Sequence, residues 1–293
     1  LKMMYIMGEN PMRSDPNLSH VEKALKKLEF LVVQDIFPTE TTELADIVLP
    51  AAAWAEKEGT FTAGDRRVQW SFKALEPPGE ARPDLDIIVS IARALGLDTK
   101  LPYAGPEDVL REINTVIPTY AGITPERVKK TPGGIPWPCP SPDHPGVKVM
   151  FTDRKFKTPS GKLTFHTVEY VEPAEKPDKE YPLILTTTRL VGAYHGHSMT
   201  GRTPSLAKRW APPGEVYINP ETAKKYNIRP GQKVLIETRR GRYVAIAKIT
   251  EAVKPIVIAV PWHYGANILT NDALDPISKE PELKVAAARI KPL

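Results

Sequence analysis

The chain of 293 residues contains a single cysteine, Cys139. One cysteine excludes an internal disulfide framework and any cluster that needs several cysteine ligands from this chain. The longest apolar runs, such as residues 256–260, are far shorter than the roughly 20 residues that cross a bilayer, so we expect no membrane span. No G-x-G-x-x-G motif follows a predicted strand, which argues against a nicotinamide-dependent dehydrogenase.

The composition is that of a globular protein, with 41% hydrophobic and 26% charged residues. A chain of this length has room for two domains that each bury a core. The net charge of +5 suits an anionic ligand, although many basic proteins have none. Because the basic residues are scattered, we expect no nucleic-acid binding. Abundant proline and only three glutamines suggest a thermophilic source.

The first third of the chain alternates apolar runs with amphipathic segments. Buried strands are predicted at residues 3–7, 30–33 and 47–49. Helices are predicted at residues 17–29, 83–95 and 107–116. Asn17 or Ser19 is expected to cap the first helix, and Gly96 to end the second. Buried strands that alternate with helices predict an α/β layered fold with a parallel or mixed sheet.

The rest of the chain changes character twice. Proline and glycine are abundant at residues 131–182, which predicts a connector there. A short strand near residues 162–166 is expected to interrupt it. From residue 183 onward, short strands surround one small helix, a pattern that predicts a closed β-barrel. We therefore divide the chain into an α/β domain (1–130), a connector (131–180) and a barrel domain (181–293).

The loop at residues 192–201 carries the densest functional signal. It follows a predicted strand and places two histidines, a tyrosine, a serine and a threonine among glycines. Glycine lets the backbone approach a ligand, and the polar side chains can hydrogen-bond to it. His195 and His197 are two residues apart and point to opposite faces of an extended segment, which disfavours a shared metal ion. A large polar ligand with phosphates fits this loop better.

The loop is similar to the cofactor loop of the molybdenum and tungsten bis-pterin oxidoreductases, formate dehydrogenases in particular. Further blocks resemble the same family in the same order. They cover residues 8–11, 32–42, 45–50, 56–62, 66–69 and 275–278, and continue to the C-terminus. The resemblance extends over nearly the whole chain.

The resemblance implies both a fold and an activity. The fold would be a Rossmann-like α/β layer followed by a double-psi β-barrel. The activity would be the oxidation of formate to carbon dioxide by a cytoplasmic enzyme. Such an enzyme uses two molybdopterin guanine dinucleotides that hold molybdenum or tungsten. The chain would be the C-terminal part of the catalytic subunit, so its partners would be formate, the N-terminal part of that subunit and electron-transfer subunits. The metal ligand and the iron–sulfur cluster would belong to the N-terminal part, and this chain alone would be inactive.

Several residues are candidates for contacts with the dinucleotide. Asp35 ends a predicted strand, where α/β folds place ligand contacts, but it could equally cap the following turn. Lys57 would otherwise be a solvated lysine, and Asp84 an ordinary helix-start residue. Arg189 is a natural partner for phosphate. By resemblance, the contacts are Asn10, Gln34, Asp35, Lys57, Asp84, Thr188, Arg189, Tyr194, His195, Gly196, His197, Ser198, Met199, Thr200, Asn267 and Lys284.

We expect no catalytic residue and no metal ligand in this chain. Cys139 lies between two prolines in the connector and is not expected to bind the metal. Two alternatives remain open. One is a nitrate reductase or another bis-pterin oxidoreductase, since the matching blocks concern the nucleotide rather than the substrate. The other is a non-catalytic cofactor-binding subunit of a split enzyme.

Overall fold

A computed structural model describes residues 1–210 and 213–293 of the chain. The described residues form two compact units. The first unit contains Leu1–Val48 and Tyr170–Leu293, and the second contains Leu49–Glu169. The first unit is therefore assembled from two separate stretches of sequence. The division into three consecutive segments made from the sequence stays a prediction.

The strands are short, as the sequence predicts, and half of them lie from residue 183 onward. They are β1 (Met3–Met7), β2 (Phe30–Asp35), β3 (Ile47–Pro50), β4 (Gly59–Thr62), β5 (Arg67–Ser71), β6 (Ile135–Pro136), β7 (Leu183–Thr188), β8 (Glu215–Ile218), β9 (Lys233–Glu237), β10 (Arg242–Ile249), β11 (Val257–Pro261) and β12 (Ala286–Pro292).

The helices are also short. They are α1 (Pro11–Ser14), α2 (Leu18–Leu25), α3 (Asp84–Ala94), α4 (Pro106–Val116), α5 (Pro125–Lys129), α6 (Pro204–Arg209) and α7 (Pro220–Lys225). The longest of these, α3 and α4, have 11 residues each. None of the helices in the described part of the chain has the length and apolar character needed to cross a bilayer.

In the first unit, β1 and β2 pair in parallel, with Met3 opposite Phe30 and Met7 opposite Gln34. Their sheet has the order β1-β2-β3. Ile6, Leu31 and Val33 are buried beside Leu25 of α2 in one apolar cluster. The parallel pairing of β1 and β2 beside an amphipathic helix is confirmed, and β2 is buried as predicted. The prediction that β1 and β3 are buried strands is wrong: they are the edge strands of this sheet, and most of their residues are exposed.

The helix α2 differs from its prediction at both ends. It ends at Leu25 rather than Glu29, because the backbone N–H of Glu29 donates to the Lys2 carbonyl at 2.8 Å and so joins the sheet. Neither predicted cap forms. Asn17 adopts the left-handed conformation without a capping bond, and its side chain donates to Asp272 instead. The Ser19 hydroxyl donates to the Arg240 carbonyl.

The C-terminal part of the first unit is a closed six-stranded barrel in the order β10-β8-β11-β7-β12-β9. The pairs β7–β11 and β8–β10 are parallel, and the other pairs are antiparallel. Alternate residues of β7 are buried, and they join one apolar core with residues from the other strands. The predicted closed barrel is confirmed, and within it β9 and β10 pair as an antiparallel hairpin.

The second unit combines a small antiparallel sheet, β4-β5-β6, with three helices. Val68 of β5, Leu110 of α4 and Ile123 are almost fully buried in its core. The predicted end of α3 is confirmed. Gly96 has a φ of +70°, and the next N–H, of Leu97, donates back to the Ala92 carbonyl at 2.8 Å.

The strand predicted near residues 162–166 is wrong. Residues 162–169 form no strand or helix, and all of their side chains are exposed. Leu163 and Phe165 alternate with polar residues as in a strand, but Phe165 is 96% exposed. The sequence pattern is present, but among the described residues no sheet edge pairs with it.

Candidate functional site

The site lies at one edge of the barrel in the first unit. Strands β7 and β11 run in parallel, and their last residues, Thr188 and Pro261, are partners in the ladder. The chain therefore leaves both strands at the same edge. The loop at residues 189–203 follows β7, and two short 3₁₀ helices, Trp262–Tyr264 and Ala266–Leu269, follow β11.

A cavity of about 670 Å³ opens at this edge. Its size falls within the range of small-molecule binding sites. It is lined by residues that follow β1, β2, β7 and β11. They are Asn10, Arg13, Pro38, Thr39, Glu40, Glu43, Gly196, His197, Ser198, Gly201, Arg202, Ala207 and Tyr264. The structure thus brings Asn10 together with Gly196, His197 and Ser198, four of the residues predicted from the sequence.

The loop after β7 is fixed by bonds within itself. The His197 N–H donates to the Tyr194 carbonyl at 2.9 Å, and the Gly201 N–H donates to the His197 carbonyl at 2.8 Å. The Thr200 hydroxyl lies 2.7 Å from His197 Nδ1 and accepts from the Tyr194 N–H at 3.2 Å. His195 and His197 both have positive φ, at +44° and +65°. Such a conformation is costly for a histidine and persists only where surrounding contacts hold it.

Gly196 allows a close approach that a larger residue would block. A Cβ at this position would lie 2.9 Å from Cγ of Arg13. Because glycine has no side chain, Arg13 packs directly against the loop backbone. The sequence-based argument assigned the glycines of this loop to the approach of a ligand. In the structure, Gly196 also makes room for a cation that lines the same cavity.

Two arginines supply positive charge to the cavity. Arg13 forms an ion pair with Glu40, and its NH1 donates to the His263 carbonyl at 3.3 Å. Arg202 donates to the carbonyls of Pro38 and Ser198, at 2.6 and 2.8 Å. Within the described chain, Arg202 forms no ion pair with a carboxylate closer than 4 Å. Its charge is therefore available to an anion.

Burial shifts the pKa of several titratable groups around this edge. Desolvation, reinforced by the charge of Arg13, lowers the pKa of His197. Desolvation also raises the pKa of Asp35, although backbone N–H groups and Arg202 oppose it. Desolvation raises the pKa of the Tyr264 phenol to about 12. At neutral pH, Tyr264 therefore remains a hydrogen-bond donor.

Three predicted residues in or shortly after β1 and β2 bond to other protein groups. Asn10 donates to Glu40 and accepts from Thr41, at 2.8 and 2.7 Å. Gln34 is fully buried and accepts from the Tyr5 hydroxyl. Asp35 accepts from the Phe37 N–H at 3.0 Å, which is the turn-capping bond that the sequence left open beside a ligand role.

The other predicted residues of the first unit lie around the cavity or beside the barrel. Thr188 ends β7, and the exposed Arg189 follows it without a hydrogen bond or ion pair to any described residue. Tyr194 and Met199 are exposed side chains of the loop. The Lys284 ammonium donates to the Thr187 carbonyl at 2.9 Å. None of these residues lines the cavity.

In the second unit, the structure brings Lys57 and Asp84 together. Their side chains form an ion pair, and each is a little over a quarter exposed. Asp84 is also the first residue of α3, where a negative charge is favoured. The two residues that the sequence assigned separately to the cofactor are therefore partners of each other.

Three buried polar atoms in the first unit have no hydrogen-bond partner among the described residues. They are the hydroxyls of Tyr243 and Tyr264 and Asn267 Oδ1. Tyr264 lines the cavity, and Asn267 donates to the Ser14 carbonyl at 2.6 Å with its other side-chain atom. Unpaired buried polar atoms are rare and costly. Together with the arginines, Tyr264 in the cavity wall fits a bound ligand that carries both phosphates and hydrogen-bonding groups.

No group of three or more histidine, cysteine, aspartate or glutamate side chains in residues 1–210 and 213–293 is placed to hold a metal ion. Cys139 is buried in the second unit, where the Arg127 guanidinium donates to its sulfur at 3.1 Å. These contacts give Cys139 a packing role.

Sequence reasoning missed several residues that shape the cavity: Arg13, Glu40, Arg202, Tyr264 and His263. Arg13 pairs with a residue 27 positions away and bonds to one 250 positions away. Such contacts have no local signal. Arg202 and His263 lie close to predicted contacts in sequence, and a search for cations and histidines at the ends of predicted strands would have found them.

Two family models match the chain. Residues 1–94 match the molybdopterin oxidoreductase model, and residues 183–287 match the molybdopterin dinucleotide binding domain. The two matched segments together cover more than half of the chain. Each contributes residues to the cavity: Asn10, Arg13 and Glu40 from the first, and Gly196, Arg202 and others from the second.

The chain is similar over its whole length to larger curated proteins. It is 50% identical to the F420-dependent formate dehydrogenase subunit alpha of Methanocaldococcus jannaschii, over 99% of the chain and 43% of that protein. It is 38% identical to formate dehydrogenase H of Escherichia coli, over 100% of the chain and 41% of that protein. It is also 38% identical to the periplasmic nitrate reductase of Desulfovibrio desulfuricans, over 99% of the chain and 42% of that protein.

The fold is shared more widely than the sequence. The structure of acetylene hydratase from Pelobacter acetylenicus matches 99% of this chain and 44% of its own with a TM-score of 0.68, at 21% identity. The chain thus spans less than half the length of the relatives that it matches. By its two family models and its formate dehydrogenase relatives, the chain belongs to the molybdopterin oxidoreductase family.

Proposed function

We propose that this chain is part of a formate dehydrogenase and that the cavity beside β7 holds the nucleotide end of a molybdopterin guanine dinucleotide. The observation that carries the proposal is the composition of this cavity. Residues from both matched family segments line it, two arginines face it, and a buried tyrosine hydroxyl in its wall has no protein partner. A ligand with a pyrophosphate and a guanosine would use all three features.

The residues divide by chemistry. Arg202 and Arg13 would contact phosphate oxygens, since guanidinium groups bind them with charge-assisted hydrogen bonds. Ser198 and Tyr264 would donate to the sugar or phosphate, and Asp35 would accept from the guanine edge. Around them, the sequence-based contacts remain proposed, namely Asn10, Gln34, Thr188, Arg189, Tyr194, His195, Gly196, His197, Met199, Thr200, Asn267 and Lys284.

Lys57 and Asp84 would contact a second dinucleotide in the intact enzyme. The intact enzyme would hold molybdenum or tungsten between the two cofactors, with an iron–sulfur cluster in the part of the subunit outside this chain. The bound metal–pterin group supplies the two-electron chemistry that converts formate to carbon dioxide, a proton and two electrons. This chain would bind and orient the cofactor.

The proposal includes a finer description of the fold. The α/β part would be Rossmann-like and the barrel of the double-psi type, and the two parallel strand pairs of the barrel support this. The remaining expectations are a cytoplasmic enzyme from a thermophilic source, with electron-transfer subunits as partners. These follow from the sequence and its resemblance.

Formate is favoured over nitrate by the pattern of identities. The chain shares 50% of aligned residues with a formate dehydrogenase subunit and 38% with a nitrate reductase. A non-catalytic cofactor-binding subunit is the rival outside catalysis. Activity assays distinguish the formate dehydrogenase, the nitrate reductase and the non-catalytic subunit. We expect no formate oxidation by this chain alone with a dye acceptor, and formate rather than nitrate turnover by a longer subunit that includes it.

The binding role is tested without the metal. Guanosine 5′-diphosphate (GDP) reproduces the guanosine and phosphates of the cofactor, and isothermal titration calorimetry measures its affinity for the purified chain. We expect binding to the wild type and affinity lower by about tenfold in Arg202→Gln, which loses a charged donor. The matched control is Arg229→Gln, an exposed arginine outside the cavity. Absence of GDP binding, or equal losses in both variants, would contradict the proposal.

A further inference from the structure

His263 is a buried histidine that was not among the cofactor contacts predicted from the sequence. It lies in the 3₁₀ helix after β11 and is 1% exposed. Its ring stacks on Trp262, with 5.0 Å between ring centroids. A buried imidazole needs hydrogen-bond partners for both of its nitrogens, so its contacts reveal what it does.

Both ring nitrogens bond to the backbone of the loop after β7. The Leu190 N–H lies 3.0 Å from Nε2, and the His195 carbonyl oxygen lies 2.5 Å from Nδ1. A backbone N–H can only donate, so Nε2 must carry no proton. A carbonyl can only accept, so Nδ1 must carry one. The contacts therefore admit only the neutral imidazole with its proton on Nδ1.

These two bonds join the ends of the segment 190–195, which leads directly into the cavity wall at Gly196 and His197. His195 itself has a φ of +44°, a conformation that needs external contacts to persist. The His263 ring supplies such a contact at the His195 carbonyl. The backbone carbonyl of His263 also accepts from Arg13. One residue thus connects the loop, the barrel edge and a cation of the cavity.

We propose that His263 is a positioning residue, whose single neutral tautomer holds the loop at residues 190–197 in the shape that forms the cavity wall. The role in shaping the loop stands by itself. The further step, that this shape serves the dinucleotide, rests on the proposed function.

We call the two hydrogen bonds from the His263 ring to Leu190 and His195 the clamp. The clamp should be sensitive to acid. A proton on Nε2 would face the Leu190 N–H, donor against donor, and break that bond. Burial, with the positive charges of Arg189 and His195, lowers the pKa of His263 below its ordinary 6.5, although its bond to His195 opposes the shift. His197 and Arg13 also lie nearby. Because the folded pKa is lowered, the bond is fully present above pH 6.5 and is lost as pH falls through the lowered value.

Nuclear magnetic resonance of the full chain tests the clamp directly. Long-range ¹H–¹⁵N spectra of histidine side chains distinguish the two neutral tautomers, and the signal lost in His263→Phe identifies His263. We expect the Nδ1-protonated form at pH 7.5, with titration below pH 6.5. An Nε2-protonated form, or titration at or above the ordinary value, would overturn the proposal.

Amide exchange tests the consequence for the loop. In His263→Phe, exchange of the Leu190 amide and of amides in residues 192–202 should accelerate by about tenfold, because two bonds are lost. The matched control, His166→Phe, changes an exposed histidine and should leave these amides unchanged. A uniform acceleration that includes β9 and β12 would mean general destabilisation and would overturn the positioning role.

If His263→Phe does not fold, amide exchange is measured in His263→Asn instead. Its amide can still donate toward the His195 carbonyl but offers no acceptor at the position of Nε2. Leu190 should therefore exchange faster while residues after 195 keep the wild-type rate. Equal exchange of Leu190 in this variant and the wild type would contradict the proposal. GDP binding is measured separately, so its absence with the expected exchange pattern would refute the dinucleotide and leave the clamp standing.

Discussion

In the first unit, the predicted contacts Asn10, Gly196 and His197 line an open cavity, whereas in the second unit Lys57 and Asp84 are joined to each other. The first site has a wall held by its own hydrogen bonds and a hydroxyl without a partner. The second has its charges compensated within the protein. The first is organised to receive a ligand as it stands, and the second must exchange an internal ion pair for contacts with a ligand.

The largest expected effect comes from Gly196→Ala. The added methyl group would lie 2.9 Å from Cγ of Arg13, and Arg13 is anchored by Glu40 and the His263 carbonyl. We expect destabilisation by about 1–3 kcal/mol in urea unfolding and GDP affinity lower by at least about tenfold. The control is Gly64→Ala, where no atom lies within 4 Å of the new Cβ. Equal behaviour of the two variants would mean that Arg13 is free to move and the cavity is not preformed.

The ion pair between Lys57 and Asp84 in the second unit is tested with Lys57→Met. Both side chains are mostly buried, so the loss of the pair should cost about 1 kcal/mol, near the upper end for such pairs. Lys73→Met breaks a more exposed pair with Glu76 and should cost less. Thermal unfolding of both variants measures the two losses of stability. A cost for Lys57→Met no larger than for Lys73→Met would show that the second site is as open to a ligand as the first.

Asp35→Asn should raise stability at neutral pH. Burial raises the pKa of Asp35, so its charged form disfavours folding, and the stability present below pH 3.8 is lost as pH rises through the folded pKa. Asparagine keeps the acceptor for the Phe37 N–H without the charge. We expect a gain of roughly 0.5 kcal/mol at pH 7 that disappears in acid, with weaker GDP binding.

The contrasting variant is Asp65→Asn in the second unit. The Arg67 side chain bonds to Asp65 and lowers its pKa, so this substitution should bring no gain at neutral pH. Urea unfolding between pH 3 and pH 8 compares the two. Stabilisation by both substitutions would point to a general effect of net charge rather than to a desolvated carboxylate beside the cavity.

The smallest effect on stability is expected for Tyr264→Phe. The hydroxyl has no protein partner, so its removal should change the free energy of unfolding by less than about 0.5 kcal/mol. GDP affinity should fall by about threefold to tenfold, the value of one hydrogen bond. Tyr226→Phe, outside the cavity, should leave the affinity unchanged. A clear loss of stability in Tyr264→Phe would mean that the hydroxyl has a structural partner after all.

Local patterns predicted much of the fold. The series of short strands around one small helix from residue 183 onward led to the closed barrel. The helix end at Leu25 and the absent strand near residue 164 were missed. The helix was predicted too long because the backbone N–H of Glu29 bonds to the sheet. The strand is absent because the described chain offers no strand to pair with it.

Only part of the candidate site was predicted from the sequence. The loop at residues 192–201 stood out because its glycines and polar residues are contiguous. Arg13 and Glu40 were missed because their roles arise from contacts between distant parts of the sequence. No periodicity records such contacts, and only the folded chain brings these side chains together.

The first unit is built from two stretches of chain separated by more than 100 residues. During synthesis, β1, β2 and α1 emerge from the ribosome long before the 3₁₀ helices after β11, which provide Asn267 and His263 for their contacts. Closing so long a loop is slow, and incomplete units expose apolar surface. The second unit, by contrast, is one continuous stretch and can fold as soon as it emerges. Production of this protein should therefore be limited by the late arrival of its C-terminal residues, and truncation there should release an aggregation-prone chain rather than a smaller stable domain.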